Sequence, residues 1–276
     1  MQINTSNHRP PAVAGQFYSA SPEALREQLA RWLKASVSPE IPVPPKILLV
    51  PHAGYIYSGA MAAKGYALLN PHRARIRRVV VLGPAHRVAV NGLAMPSVAA
   101  FDTPMGAIPL DREALDLLAD MPQVVVSDEA HAFEHALEVQ LPFLQQVLNR
   151  FTLVPLVVGR ASPAAVAEVL ERLWGGDETL IVISSDLSHF LTYEQARAKD
   201  SQTLLRILAL APNLGYDEAC GAAAVNGALK AAAAHGLSPQ LLGACSSGDT
   251  AGDHARVVGY ASLAFWAKIP EEYTHE

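Results

Sequence analysis

Three apolar, largely β-branched runs in this chain each break into a Pro, Gly or Ser turn and then deliver a histidine. They are Ile47-Leu48-Leu49-Val50-Pro51-His52, Val79-Val80-Val81-Leu82-Gly83-Pro84-Ala85-His86 and Leu180-Ile181-Val182-Ile183-Ser184-Ser185-Asp186-Leu187-Ser188-His189. Runs without polar alternation suit strands buried on both faces, as in parallel sheets covered by helices. Open α/β sheets bind ligands in the crevice beyond the carboxyl ends of their strands. Three histidines brought to one such rim point to a metal or acid–base site. The segment Gly243-Ala244-Cys245-Ser246-Ser247-Gly248-Asp249 could bring that rim a carboxylate.

With 276 residues, 50% of them hydrophobic and 17% charged, the chain can bury one large core, and residues 1–276 read as a single domain. The net charge of −5 comes with no block of Lys or Arg longer than a pair. The long-range field therefore gives no reason to expect nucleic acid or an anionic membrane as partner. No apolar stretch approaches the roughly 20 residues of a membrane span, and Met1-Gln2-Ile3-Asn4-Thr5-Ser6-Asn7 lacks the regions of a signal peptide, so the expected location is cytoplasmic. Cys220 and Cys245 are too few for a disulfide framework and too far apart for a C-x-x-C motif. Both are expected to be reduced and buried.

Strands and helices alternate along the chain. Ser21, Pro22 and Glu23 carry helix-start signals, and Leu25, Leu29 and Leu33 then line one face. Ser36 to Pro45, with four prolines, reads as a linker. A helix follows Ser58, and Val88 to Pro109 reads as short strands within a long loop. Further helices are predicted over Asp111–Leu118, Glu134–Leu148, Pro163–Leu173, Tyr193–Leu210 and Asp217–Ala234. Further strands are predicted over Val124–Val126, Leu153–Val158, Leu180–Ser185, Leu241–Cys245 and Val257–Phe265. Pro142 marks a kink or boundary in the 134–148 helix. The pattern predicts a three-layer α/β/α sandwich around a mostly parallel or mixed sheet.

Pro51 and Pro84 fix φ ahead of their histidines, while Gly54 and Gly83 permit close backbone approach. His52 and His86 are thus read as metal ligands, and imidazole suits Fe, Cu, Zn or Ni. Asp249 is the favoured third ligand, giving two histidines and a carboxylate as in non-haem Fe(II) oxygenases, with Cys245 competing as a soft donor. Asp186 and His189 form a D-x-x-H unit suited to acid–base work, the carboxylate orienting the imidazole. His131, Glu134, His135 and Glu138 are expected to line the same pocket, as is Tyr55. His131-x-x-Glu134-His135 spells the H-x-x-E-H of some zinc proteases, a short match without a downstream partner, and a zinc-dependent hydrolase is the weaker alternative. His8, His72, His235 and His275 read as surface residues, while His254 and Asp253 could serve either role.

These motifs together resemble the Memo family, whose microbial members are called AmmeMemoRadiSam system protein B. The resemblance runs from Val13-Ala14-Gly15-Gln16-Phe17-Tyr18 through Pro51-His52-Ala53-Gly54-Tyr55, Leu82-Gly83-Pro84-Ala85-His86 and Glu134-His135-Ala136-Leu137-Glu138-Val139-Gln140-Leu141-Pro142-Phe143. It continues through Ser184-Ser185-Asp186-Leu187-Ser188-His189 and Ser247-Gly248-Asp249 to Val258-Gly259-Tyr260-Ala261. It implies a fold similar to the catalytic subunit of class III extradiol dioxygenases, with His52 and His86 as ligands and His189 as the counterpart of the acid–base histidine. Some members carry cysteine at the third ligand, where the alignment places Asp249. The expectation is a divalent metal, Fe(II) first and Cu or Zn after it, in a dioxygenase-like oxidoreductase acting on a small catecholic or other oxygenated molecule. The alternative is a non-catalytic metal-binding signalling protein whose cleft takes a peptide or protein. Resemblance alone adds an AMMECR-type protein or a radical enzyme as partner.

Overall fold

The computed structural model describes residues 7–36 and 41–267. Residues 37–40 of the expected linker, the chain start and His275 lie outside the described residues. In chain order the elements are β1 (His8–Arg9), α1 (Pro22–Ala35), β2 (Ile47–Val50), α2 (Tyr55–Ala67), β3 (Arg78–Pro84), β4 (Leu93–Met95), β5 (Ala100–Thr103), β6 (Gly106–Pro109) and α3 (Arg112–Asp116). There follow β7 (Val124–Val126), α4 (Asp128–Ala132), α5 (Leu141–Val147), β8 (Thr152–Val158), α6 (Pro163–Arg172), β9 (Thr179–Ser184) and β10 (His189–Leu191). The chain continues with α7 (Tyr193–Leu208), α8 (Ala222–Ala234), β11 (Ser238–Ser246), α9 (Ser247–Thr250) and β12 (Val257–Trp266).

Four parallel strands in the order β2-β9-β3-β8 form the centre of the main sheet. Antiparallel strands flank them: β12 beside β2, and β4 beside β8. The sheet is thus mixed and open, as expected. Every residue of β2 and β9, and Val79 to Pro84 of β3, is buried, so both faces are covered. Helix α2 packs on β2 and β12 with α1 and α5 beside it, while α8 packs on β3 and β9 with α6. A small separate sheet, β1-β5-β6, accounts for part of the broken 88–109 segment.

Local signals explain where helices start. The Ser21 side chain accepts the Ala24 N–H ahead of Pro22, and α1 buries Leu25, Leu29 and Leu33. Ser162 and Pro163 repeat this device at α6. Two expected helices are shorter than their periodicity suggested. Residues 134–148 divide into a 3₁₀ turn at Glu138–Gln140 and α5, whose first turn holds Pro142, a residue with no N–H for a helix interior to use. The Asp217–Ala234 helix begins only at Ala222. Before it, Cys220 N–H donates to the Asp186 carbonyl, and a Cβ on Gly221 would come within 2.9 Å of the Ser184 carbonyl oxygen. That close approach draws residues 220–221 onto the end of β9.

The register decides where the site forms. Val50 of β2 lies opposite Ser184 of β9, and Ile183 of β9 opposite Leu82 of β3. Their carboxyl ends therefore leave the sheet together, carrying His52, His86 and Asp186 to one rim. Among the described residues, no helix is long and apolar enough to cross a membrane.

Candidate metal centre

His52, His86 and Cys220 meet at this rim, with their ligand atoms all within 4.8 Å of one another. The ring centroids of His52 and His86 are 5.2 Å apart, and Cys220 Sγ lies 3.2 Å from His52 Nε2. A chain of hydrogen bonds determines which nitrogen His52 offers. Tyr66 OH donates to Gln140 Oε1 at 2.9 Å, so the Gln140 amide donates through Nε2, to the Pro51 carbonyl and to Ser184 Oγ. Ser184 spends its single proton on the Ala136 carbonyl at 2.6 Å. The remaining contact, His52 Nδ1 to Ser184 Oγ at 3.0 Å, therefore has the imidazole as donor, and Nε2 keeps its lone pair facing Cys220.

His86 is oriented by a different group to the same effect. Its Nδ1 donates to Glu134 Oε1 at 2.8 Å and its backbone N–H to Glu134 Oε2 at 2.7 Å. Burial would raise the Glu134 carboxyl, but the bonds and charge of His86 together with the Ala136 N–H outweigh it and hold the group down at about 2. An ionised carboxylate only accepts, so His86 carries its proton on Nδ1 and leaves Nε2 free. A carboxylate or hydroxyl behind a ligating imidazole fixes its tautomer and raises its basicity. A Cβ on Gly83 would come within 3.1 Å of Ala136 Cβ, so the glycine lets this support pack directly against β3.

The electrostatics favour lone-pair donors. Burial, reinforced by His86, pushes His52 down to about 3, and burial with His52 pushes His135 down to about 4, so both rings are neutral near pH 7. Burial, with the Asp186 charge, pushes the Cys220 thiol up to about 12. The thiol thus stays protonated by itself, and a bound cation reverses that preference by taking the thiolate as ligand. Two imidazoles and a thiol so placed fit a soft or borderline transition-metal ion.

The structure does not bring the expected third ligand to the two histidines. Asp249 caps α9, its Oδ2 accepting the Ser246 N–H at 2.7 Å and its Oδ1 accepting Tyr193 OH at 2.6 Å. It forms no part of the His52–His86 cluster. Cys245 is not there either: it lines a separate groove with Tyr193, Arg197 and Asp249. Neither cysteine is fully buried. Cys220 was the residue that sequence reasoning missed, because a helix predicted from Asp217 enclosed it. The local signal was Gly221, a residue that weakens a helix interior, placed between Cys220 and the Ala-rich run.

Other expected pocket residues also serve elsewhere. Tyr55 is buried and donates to the Val139 carbonyl at 2.7 Å. His131 is buried with Nε2 on the Ala94 carbonyl at 2.9 Å. Glu138, fully buried, pairs with Arg9 and accepts the Ala12 and Val13 N–H groups and Tyr18 OH, tying the amino-terminal segment to the body. His72, read as a surface residue, is buried against the Ile41 carbonyl. His8 and His235 are exposed or nearly so, beside Asp102 and Glu171.

His135 does face the site: it stacks on His86 at 4.6 Å and lines a cleft of about 430 Å³ next to the cluster. Asp186 borders that cleft too, but it does not orient His189. Its Oδ1 accepts the His52 N–H at 2.8 Å, and burial raises its pKa. His189 Nδ1 donates instead to the Leu187 carbonyl at 2.8 Å, leaving Nε2 as an acceptor. His189 is close enough to interact electrostatically with both His52 and Asp186. Asp253 lines the cleft, and His254 stacks on Tyr193 at 4.3 Å.

Fold and cluster together define an open-sheet α/β protein with an imidazole–thiol pocket at the carboxyl rim of its parallel strands. The chain belongs to the Memo-like protein family, whose sequence profile matches residues 9–264. It is similar to the MEMO1 family protein of Aquifex aeolicus, 35% identical over 270 residues covering 93% of this chain and 98% of that protein. A MEMO1 family protein of Ignicoccus hospitalis is 37% identical over 283 residues, again covering 93% of this chain and 98% of the relative. One from Methanopyrus kandleri is 35% identical over 282 residues with the same coverage.

Proposed function

We propose that this protein holds a transition-metal ion on His52, His86 and Cys220 and acts as an oxidoreductase on a small oxygenated molecule in the adjoining cleft. The observation that carries this reading is Cys220 Sγ at 3.2 Å from His52 Nε2, with His86 in the same cluster. A thiolate in place of the expected carboxylate moves the preference from Fe(II) toward Cu(I), with Fe(II) and Zn(II) behind it. Bound there, the ion would supply Lewis acidity and, for copper or iron, one-electron chemistry. The chain itself supplies proton handling: His189 Nε2 accepts a proton from a substrate hydroxyl while the Leu187 carbonyl steadies its ring. Asp186 holds the His52 backbone and closes the cleft floor.

Two measurements test this reading. Element-specific analysis of protein purified without oxygen or chelator is expected to find one copper or iron per chain, and oxygen uptake is then followed with a panel of catechols. Uptake that requires both Cys220 and His189 supports the oxidoreductase. Metal-replete protein with no uptake on any catechol removes the catalytic part and leaves a metal-binding protein.

A further inference from the structure

The cleft beside the cluster has a chemistry of its own, and from it we infer the class of ligand that the proposed site takes: a small planar carboxylate gripped by Arg256. The inference rests on the cleft being the substrate site of the reading above. Its walls include the aromatic rings of Phe17, Tyr57 and Tyr260, and Tyr57 is 38% exposed, so a flat apolar body finds ring faces to lie against. Arg256 is the one Lys or Arg among the described residues lining the cleft.

Arg256 is held in place yet uncommitted. Its guanidinium lies over the Phe190 ring, with Cζ 4.9 Å from the centroid. Phe190 is 63% exposed and has a φ of 61°, a left-handed conformation that is costly for an aromatic residue. The chain therefore keeps a strained, solvent-facing ring directly after His189, edge-on to the His189 ring at 5.7 Å and with its face under Arg256. Stacking occupies the face of the guanidinium and leaves its N–H edge free for a two-point grip on a carboxylate. Arg256 makes no ion pair among the described residues. The carboxylates nearby are engaged: Asp253 turns back to accept the Ala255 N–H at 2.8 Å, and Asp186 accepts the His52 N–H.

Benzoate and benzamide, equal in shape and differing in charge, test this by calorimetric titration of metal-loaded and metal-free protein. Wild type is expected to bind benzoate about 10- to 100-fold more tightly than benzamide in both forms, the range for hydrogen bonds to a charged group. Arg256→Gln should erase the preference, and Arg256→Lys should keep part of it. Metal content of the same preparations is a separate readout: loss of metal with the preference intact overturns the metal centre and spares the cleft. Equal binding of the two probes, no benzoate binding, or a preference that survives Arg256→Gln overturns the inference.

Discussion

Cys220 and Cys245 each stand next to small residues, the first ahead of Gly221-Ala222-Ala223-Ala224 and the second after Gly243-Ala244, yet the fold uses them differently. Burial raises both thiols, to about 12 for Cys220 and about 11 for Cys245. Cys220 stands in the loop between α7 and α8, which the close approach of Gly221 holds against the end of the parallel strand β9, and it meets two imidazoles there. Cys245 sits within β11, opposite Tyr260 of β12, in the antiparallel part of the sheet. The turn after it, with Asp249, looks inward to its own backbone and to Tyr193. A polar turn after a strand is therefore insufficient to make a ligand. β11 runs parallel to β2 and ends on the same side, where Ser247 lines the cleft. What counts is that Asp249 commits its oxygens to Ser246 and Tyr193 and stays out of the cluster.

The largest effect should separate the two thiols. Cys220→Ser is expected to weaken metal binding about 100- to 1,000-fold, one ligand's share of a typical structural-metal binding free energy, while Cys245→Ser leaves it unchanged. Competitive titration with a chelator reads both, and equal losses would erase the distinction drawn above. A smaller effect should come from the support behind His86. Glu134→Gln keeps the shape but exchanges an ionised acceptor for an amide, and metal affinity should fall about 10- to 100-fold without loss of fold.

Smaller still is the effect of Asp249→Ala. Losing this cap should cost about 1 kcal/mol of stability in denaturant unfolding and leave metal stoichiometry intact. If the variant loses its metal instead, the turn takes part in the site after all. The smallest signal is in pH. Burial pushes the Asp249 carboxyl up, but the bonds from Tyr193 and Ser246 together outweigh it, and its pKa in the folded protein is lowered. Its contribution is fully present above the unfolded carboxyl value of about 3.9 and is lost as pH falls through the lower folded value. The stability gap between wild type and Asp249→Ala should accordingly be flat near neutrality and begin to close near pH ~4.

Much of this was legible along the chain because it depends on local covalent order. Unbroken apolar runs read as doubly buried strands, Ser-Pro starts read as helix caps, and Pro-His and Gly-Pro-x-His ends read as rim loops. Each follows from residues within a few positions of one another. The third donor was not legible in that way. Residue 220 is 168 positions from His52 and was enclosed by a plausible helical pattern. Only the close approach of Gly221 to the end of β9 shows that the helix starts later. The carboxylates divide in the same manner. Glu134 and Glu138 are one helical turn apart in sequence, yet one orients a candidate ligand and the other neutralises buried Arg9 from the far amino-terminal segment.

By itself the sequence determined that parallel strands would carry His52 and His86 to a common rim, since burial pattern and turn chemistry are local properties. Tertiary structure alone decided that a thiol completes the cluster and that Asp249 closes a cap. It likewise decided that the Leu187 carbonyl, and not Asp186, steadies His189. Those outcomes depend on strand register and on which loops the packed helices press together, and such distances between remote residues exist only once the core has formed.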